Sequence, residues 1–263
     1  MTDTKPFAVV TGASSGIGFE LAKQFAQNGF DLLVTAEDEG LSSAADQLQA
    51  AGTHVHAVQA DLSTYDGVER LYAAITATGR PVSAAALNAG VGQGGAFIDT
   101  DLADELRIID LNISSTVHLA KRLLPEMVAR DDGRMLITSS IASTMPGSFQ
   151  AVYNASKSFL QSFAEALDNE LKDTRVTITS LMPGPTDTNF FHRADMEDTK
   201  IGQGPKDDPA QVAKQGFDAL MAEKEQIVAG SVMTKAQGAA SSVLPDTLTA
   251  AAPRQMAKPG SGE

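Results

Sequence analysis

The chain has 263 residues, 43% of them hydrophobic, a formal net charge of −13 (20 basic against 33 acidic side chains) and no cysteine. That length suits one α/β domain whose core needs neither metal nor disulfide to hold it. The missing cysteines exclude a disulfide framework, a thiolate nucleophile and a Cys-ligated zinc or iron–sulfur site, and the acidic balance argues against nucleic acid or an anionic membrane as partner.

The start, Met1 to Lys5, lacks the basic-then-apolar pattern of a secretory signal, and no apolar run is long enough to span a bilayer. A soluble cytoplasmic protein with no membrane partner is expected. Phe7 to Thr11 reads as a strand and Gly16 to Asn28 as a helix. A strand at Asp31 to Thr35, a helix at Leu41 to Ala50, a strand at Val55 to Gln59 and a helix at Tyr65 to Thr76 follow. Next come a strand at Val82 to Leu87, one long helix from about Asp101 to Ala129 and a strand at Met135 to Thr138. A helix at Ala151 to Leu171 and a strand at Val176 to Leu181 continue the rhythm. After Met182 it changes: Pro183 to Pro209 is rich in Pro, Gly, Asp and Thr, and a stretch that long without periodicity is a functional loop. A helix from about Pro209 to Glu223 and a short strand, Ile227 to Ala229, close the series.

Strands alternating with helices of this length imply βαβ crossovers and a parallel sheet covered on both faces. The expected architecture is an α/β Rossmann-type doubly wound sheet of about seven strands in three layers. One domain is read over residues 1–252, with a substrate-side loop at about 185–208. The end, 253–263, carries Lys-Pro-Gly-Ser-Gly-Glu and is expected to fray.

Between the first strand and first helix lies Thr11-Gly12-Ala13-Ser14-Ser15-Gly16-Ile17-Gly18. Gly12 permits a sharp exit from the strand, and Gly16 and Gly18 let backbone approach a pyrophosphate at the helix N-terminus. An ordinary Gly/Ser-rich turn would look the same in isolation, but the strand and helix on either side give it the dinucleotide context. About 20 residues on, the second strand ends Thr35-Ala36-Glu37-Asp38-Glu39. An acid there binds ribose hydroxyls, three acids repel a 2′-phosphate, and no Arg or Lys lies within that turn. NAD is favoured over NADP.

Tyr153 and Lys157 stand four residues apart at the start of a helix and share one face. A phenol has an ordinary pKa of about 10. An ammonium beside it, joined by a positive nicotinamide ring, lowers that value and makes Tyr153 a general acid or base. A bare YxxxK is a common coincidence of helical spacing; its company decides. TGxxxGxG is Gly12, Gly16 and Gly18; Asn88-Ala89-Gly90 ends the fourth strand; Asn112 lies in the next helix. Ser140 precedes Tyr153 by thirteen residues, and Pro183-Gly184 is followed by Thr188.

In that order these motifs resemble the short-chain dehydrogenase/reductase family, in its single-domain branch, over roughly residues 6 to 230. The resemblance implies an NAD(P)-dependent oxidoreductase acting on a small carbonyl or secondary alcohol, and a homodimer or homotetramer built on the helices after Asp101 and Ala151. It makes Asn112, Ser140, Tyr153 and Lys157 a catalytic tetrad. Ser140 would hold the substrate oxygen, Lys157 the nicotinamide ribose, and Asn112 a water that relays protons. The cofactor contacts implied are Gly12, Ser14, Ser15, Gly16, Ile17 and Gly18, then Glu37, Asp61 and Leu62 at the adenosine, and Asn88, Ala89 and Gly90. Tyr153, Lys157, Pro183, Gly184, Thr186 and Thr188 would lie at the nicotinamide. Two departures stand out: Leu87 replaces a frequent asparagine, and Glu37 occupies the neighbourhood where an arginine often marks NADP preference.

Phe190, Phe191 and Met196, with Met145, Pro146 and Phe149, would form an apolar substrate pocket. His54 and His56 alternate on one strand and read as a half-exposed edge, so no metal site is expected. A catalytically silent dinucleotide-binding redox sensor is the alternative, and it would have no need of both Tyr153 and Lys157.

Overall fold

Strands form where apolar residues run without a break. All of β1 (Phe7–Thr11), β2 (Asp31–Ala36) and β4 (Ala84–Leu87) is buried, as strands covered on both faces must be. With β3 (Val55–Gln59), β5 (Gly133–Thr138), β6 (Val176–Pro183) and β7 (Gln226–Ala229) they make one parallel sheet of order β3-β2-β1-β4-β5-β6-β7. This is the doubly wound α/β fold expected. Residues 5–241 and 251–262 are described in this computed structural model.

Alternating side chains divide the core in two. Val9, Leu33, Met135 and Ile137 point to the layer of α3 (Tyr65–Ala77), α5 (Ser115–Arg130) and α6 (Ala151–Leu171). Val10, Val34 and Leu136 point to α1 (Gly16–Gln27), α2 (Gly40–Gln49) and α9 (Pro209–Met221), where Phe25 meets Phe217 edge to face. Strand β3 lies at the sheet edge with His54 and His56 exposed.

Three expectations change. The helix expected from Asp101 to Ala129 is α4 (Leu102–Ile108), a π-helical segment Ile109–Ser114 and then α5. The Ser115 and Thr116 hydroxyls donate to the Leu111 and Asn112 carbonyls, so side chains take up backbone acceptors where the helix widens. The loop after β6 carries two short helices, α7 (Phe190–Arg193) and α8 (Lys200–Gln203). The end expected to fray is folded. After α10 (Val232–Ser241) and α11 (Ala251–Met256), the Gly260 and Gly262 N–H groups donate to Asp198, and the Ser261 hydroxyl accepts from the Lys200 N–H.

Candidate active site

Chain order reverses between β1 and β4, and there the strands' carboxyl ends part to leave a cleft of about 450 Å³. Gly12 takes φ +66° and Gly16 φ +58°, backbone that side chains rarely adopt. A Cβ on Gly18 would lie 2.1 Å from the Gly12 carbonyl oxygen, so helix and strand meet with no room for one. Ser15 begins α1 without a side-chain cap, and no acid occupies the first turn. Its leading N–H groups and positive dipole end therefore remain available to an anion. A pyrophosphate fits this cradle. Ile17 and Ala89 line it, and the Thr188 methyl lies 3.0 Å from the Cβ position of Gly16.

At the end of the cleft beside β2 and β3 stand Glu37, Asp38, Asp61 and Leu62. The Ser14 hydroxyl donates to Asp38 at 2.7 Å and is thereby turned toward the second strand. Burial raises the Asp61 pKa, but the hydroxyl and N–H of Ser63 and the charge of Arg107 outweigh it and hold the carboxyl below its ordinary range. Glu37 forms an ion pair with Arg107 of α4. The turn after β2 holds no cation, yet the fold brings one to it from 70 residues away.

The Asn88 side chain spends its amide on the scaffold: it donates to the Thr11 carbonyl at 3.3 Å and accepts from the Thr138 hydroxyl at 3.1 Å. Asn112, fully buried in the π-helical segment, donates to the Val91 carbonyl and the Ser156 hydroxyl and accepts from the Val91 N–H. Both of its amide protons are used, so the side chain acts first as a brace between α6 and the strand end. Gly90 fits between Asn112 and Lys157: a Cβ there would be 3.1 Å from Asn112 Oδ1 and 3.4 Å from Lys157 Nζ.

Tyr153 opens onto the cleft from the first turn of α6, with Lys157 one turn on and 5% exposed. Lys157 Nζ lies 5.8 Å from the Tyr153 ring centre and donates to the Thr138 carbonyl at 2.9 Å. Burial pushes the Tyr153 phenol up to about 12, with the Ser140 hydroxyl working the other way. Burial alone pushes Lys157 down to about 8. The direction at Tyr153 is opposite to that expected from the ammonium alone, because desolvation of the phenolate is the larger effect. The Ser140 hydroxyl accepts from the Ala142 N–H at 3.1 Å and lies 3.3 Å from the Pro183 carbonyl. Its one proton can turn to that carbonyl or to an oxygen in the cleft. Thr186 donates to the Gly184 carbonyl, and a Cβ on Gly184 would strike Thr234 of α10 at 2.6 Å.

The other side of the cleft is built by the loop after β6. Phe190 lies against Tyr153 with ring centroids 5.2 Å apart, over Gly92, whose Cβ would be 2.6 Å from the Phe190 ring. Met145, Phe190 and Phe191 line the cleft as expected; Pro146, Phe149 and Met196 do not. Met196 is buried under the loop and Phe149 packs in the same cluster, because Gly94 and Gly95 donate to Ala194 and Phe149 and draw the loop inward. Arg193, Ile201, Met256 and Ala257 line the cleft as well. No motif marks them; the one sequence signal is an arginine in an acid-rich loop.

The family model for short chain dehydrogenases matches residues 6–199. The oxidoreductase UcpA of Salmonella typhimurium is 31% identical over 216 residues, which cover 81% of this chain and 79% of that protein. A short-chain dehydrogenase from Sphingobium yanoikuyae, solved in complex with NADPH, aligns with a TM-score of 0.79 at 25% identity, covering 85% of this chain and 87% of that one. A short chain dehydrogenase/reductase from Burkholderia phymatum, solved in complex with NAD, aligns with a TM-score of 0.78 at 26% identity, covering 85% and 88%.

Proposed function

The chain belongs to the short-chain dehydrogenase family, and from that we propose that it moves a hydride between a nicotinamide dinucleotide and a carbonyl or secondary-alcohol substrate, with Tyr153 as the acid–base. The observation that carries this reading is Tyr153 beside Ser140, one turn from buried Lys157, at the mouth of a cleft whose far end is an uncapped helix N-terminus. The bound nicotinamide supplies the hydride in reduction and receives it in oxidation. Ser140 holds the substrate oxygen, and Phe190 keeps water from the Tyr153 ring. In reduction the substrate carbon would gain that hydride, with its electron pair, while the substrate oxygen takes the Tyr153 proton, so the alcohol holds two more hydrogens than the carbonyl. Burial keeps Tyr153 a phenol at neutral pH, so it stands ready as a proton donor. Lys157 remains mostly charged at neutral pH and is the cation for the nicotinamide ribose.

NAD is the preferred cofactor in this reading, because Glu37 and Asp38 line the ribose end, while Arg107, the cation beside them, does not line the cleft and is paired with Glu37. The redox-sensor alternative gains nothing from the Ser140–Tyr153–Lys157 arrangement.

Tyr153→Phe is the test. Turnover of ketones should fall by at least ~10²-fold, the scale of a lost general acid, while NADH still binds by fluorescence titration. A variant that keeps its rate would remove Tyr153 from the chemistry.

A further inference from the structure

The charge pattern of the cleft goes further and bears on the substrate. Among the described residues three carboxylates line the cleft, Glu37, Asp38 and Asp61, all at the end read as the adenosine site. The opposite end is walled by Met145, Phe190, Ile201 and Met256, and among the described residues Arg193 is, apart from Lys157, the one charged side chain there. Arg193 closes α7 three residues after Phe190, so both project from one face of that turn. Phe190 rests on Tyr153, which puts the Arg193 backbone about 5 Å further along the helix axis from the residue touching the acid–base.

The neighbouring acids do not neutralise it. Glu197 pairs with His192, Asp198 accepts from Gly260, and none of Asp187, Asp195, Glu197 or Asp198 lines the cleft. Among the described residues the Arg193 guanidinium has no ion-pair partner, in a chain of net charge −13. A planar guanidinium at the rim of an apolar pocket is suited to a carboxylate held by two parallel hydrogen bonds.

We propose that the substrate is an oxo or hydroxy carboxylic acid with an apolar body, its carbonyl at Tyr153 and its carboxylate, several bonds away, at Arg193. This rests on the assignment of Tyr153 as acid–base. The experiment compares γ-, δ- and ε-keto acids with their methyl esters, using the full chain and NADH, in the wild type, Arg193→Gln and Arg193→Lys. The best acid should exceed its ester by roughly tenfold in kcat/KM, through KM. Arg193→Gln should erase that ratio by raising KM for the acid about tenfold toward that of its ester while NADH affinity does not move, and Arg193→Lys should keep part of it. Calorimetry on the NADH complex should detect the saturated carboxylate of the same length in the wild type and not in Arg193→Gln.

Equal use of acid and ester, or an acid preference that survives Arg193→Gln, overturns the inference and leaves the Tyr153 assignment standing. Turnover that survives Tyr153→Phe overturns that assignment instead. No turnover of either compound and no carboxylate heat in the wild type also overturns the inference.

Discussion

Lys157 is a charge held at 5% exposure with one backbone carbonyl as its hydrogen-bond partner. Its pKa falls from 10.5 to about 8 on burial. Between those values the unfolded chain holds a proton that the folded chain has shed, so stability rises with pH across that interval and the full penalty is felt below pH 8. At about 1.4 kcal/mol per unit, the penalty is on the order of 3 kcal/mol. Lys157→Met removes the charge but leaves the Thr138 carbonyl without its donor, which returns about 1 kcal/mol. The variant should therefore gain about 2 kcal/mol over the wild type at pH 7 in urea unfolding, lose turnover, and give up the gain as pH approaches 10.5. A destabilised variant at pH 7 would mean that Lys157 is solvated through the cleft. Four-residue spacing put Tyr153 and Lys157 on one helical face, and the motifs around them, not the spacing alone, singled the pair out in the sequence. The rise of the Tyr153 pKa was not legible, because it depends on how much low-polarity protein surrounds the phenol, which no spacing states.

Elements matter where they meet. The helix after β4 was legible as a helix from its apolar period, but its π-helical segment was not, since the period runs through the extra residue unchanged. Only Ser115 and Thr116, hydroxyls able to cap nearby carbonyls, hint at it. The same helix brings Arg107 to Glu37, a contact between α4 and the end of β2 that lies outside any local motif. Both side chains are more than a third exposed, and a pair in that setting is worth about 0–1 kcal/mol. Arg107 can therefore be redirected by a phosphate, to which hydrogen bonds are stronger. Glu37→Gln should free Arg107 and shift relative affinity toward NADPH by roughly tenfold, and Glu37→Gln with Arg107→Ala should lose that shift. Fluorescence titration with both cofactors reads it. An unchanged NADPH affinity in Glu37→Gln would show that the Asp38 and Asp61 carboxylates set the preference.

At the scale of the whole molecule the two ends of the cleft differ in how they are made. The end read as the cofactor's is carried by turns at the carboxyl ends of strands that were legible one by one, β1, β2 and β4 as short buried runs between helices and β3 as a half-exposed edge. The substrate end is assembled from separate pieces: the glycines after β4, the loop after β6, and the last residues of the chain. Nothing in Lys-Pro-Gly-Ser-Gly suggests order. The bonds that fix it come from the Gly260 and Gly262 N–H groups to Asp198, and backbone donors leave no mark in composition. Arg254 lies 5.8 Å from the Phe149 ring, whose backbone takes φ 65°, and Ala257 is buried in the loop's apolar cluster beside the cleft. Removing residues 251–263 would open that wall and loosen the loop that places Phe190 on Tyr153. KM for a ketone that the full chain reduces should rise by about tenfold, the scale of one lost apolar wall contact. NADH affinity should not move, because the phosphate cradle, Glu37 and Asp61 stand at the other end of the cleft. Equal KM values for the shortened and full chains would show that the tail's docking does not shape the site. A loss of NADH binding would instead mean that the loop, once released, no longer keeps Thr188 over Gly16.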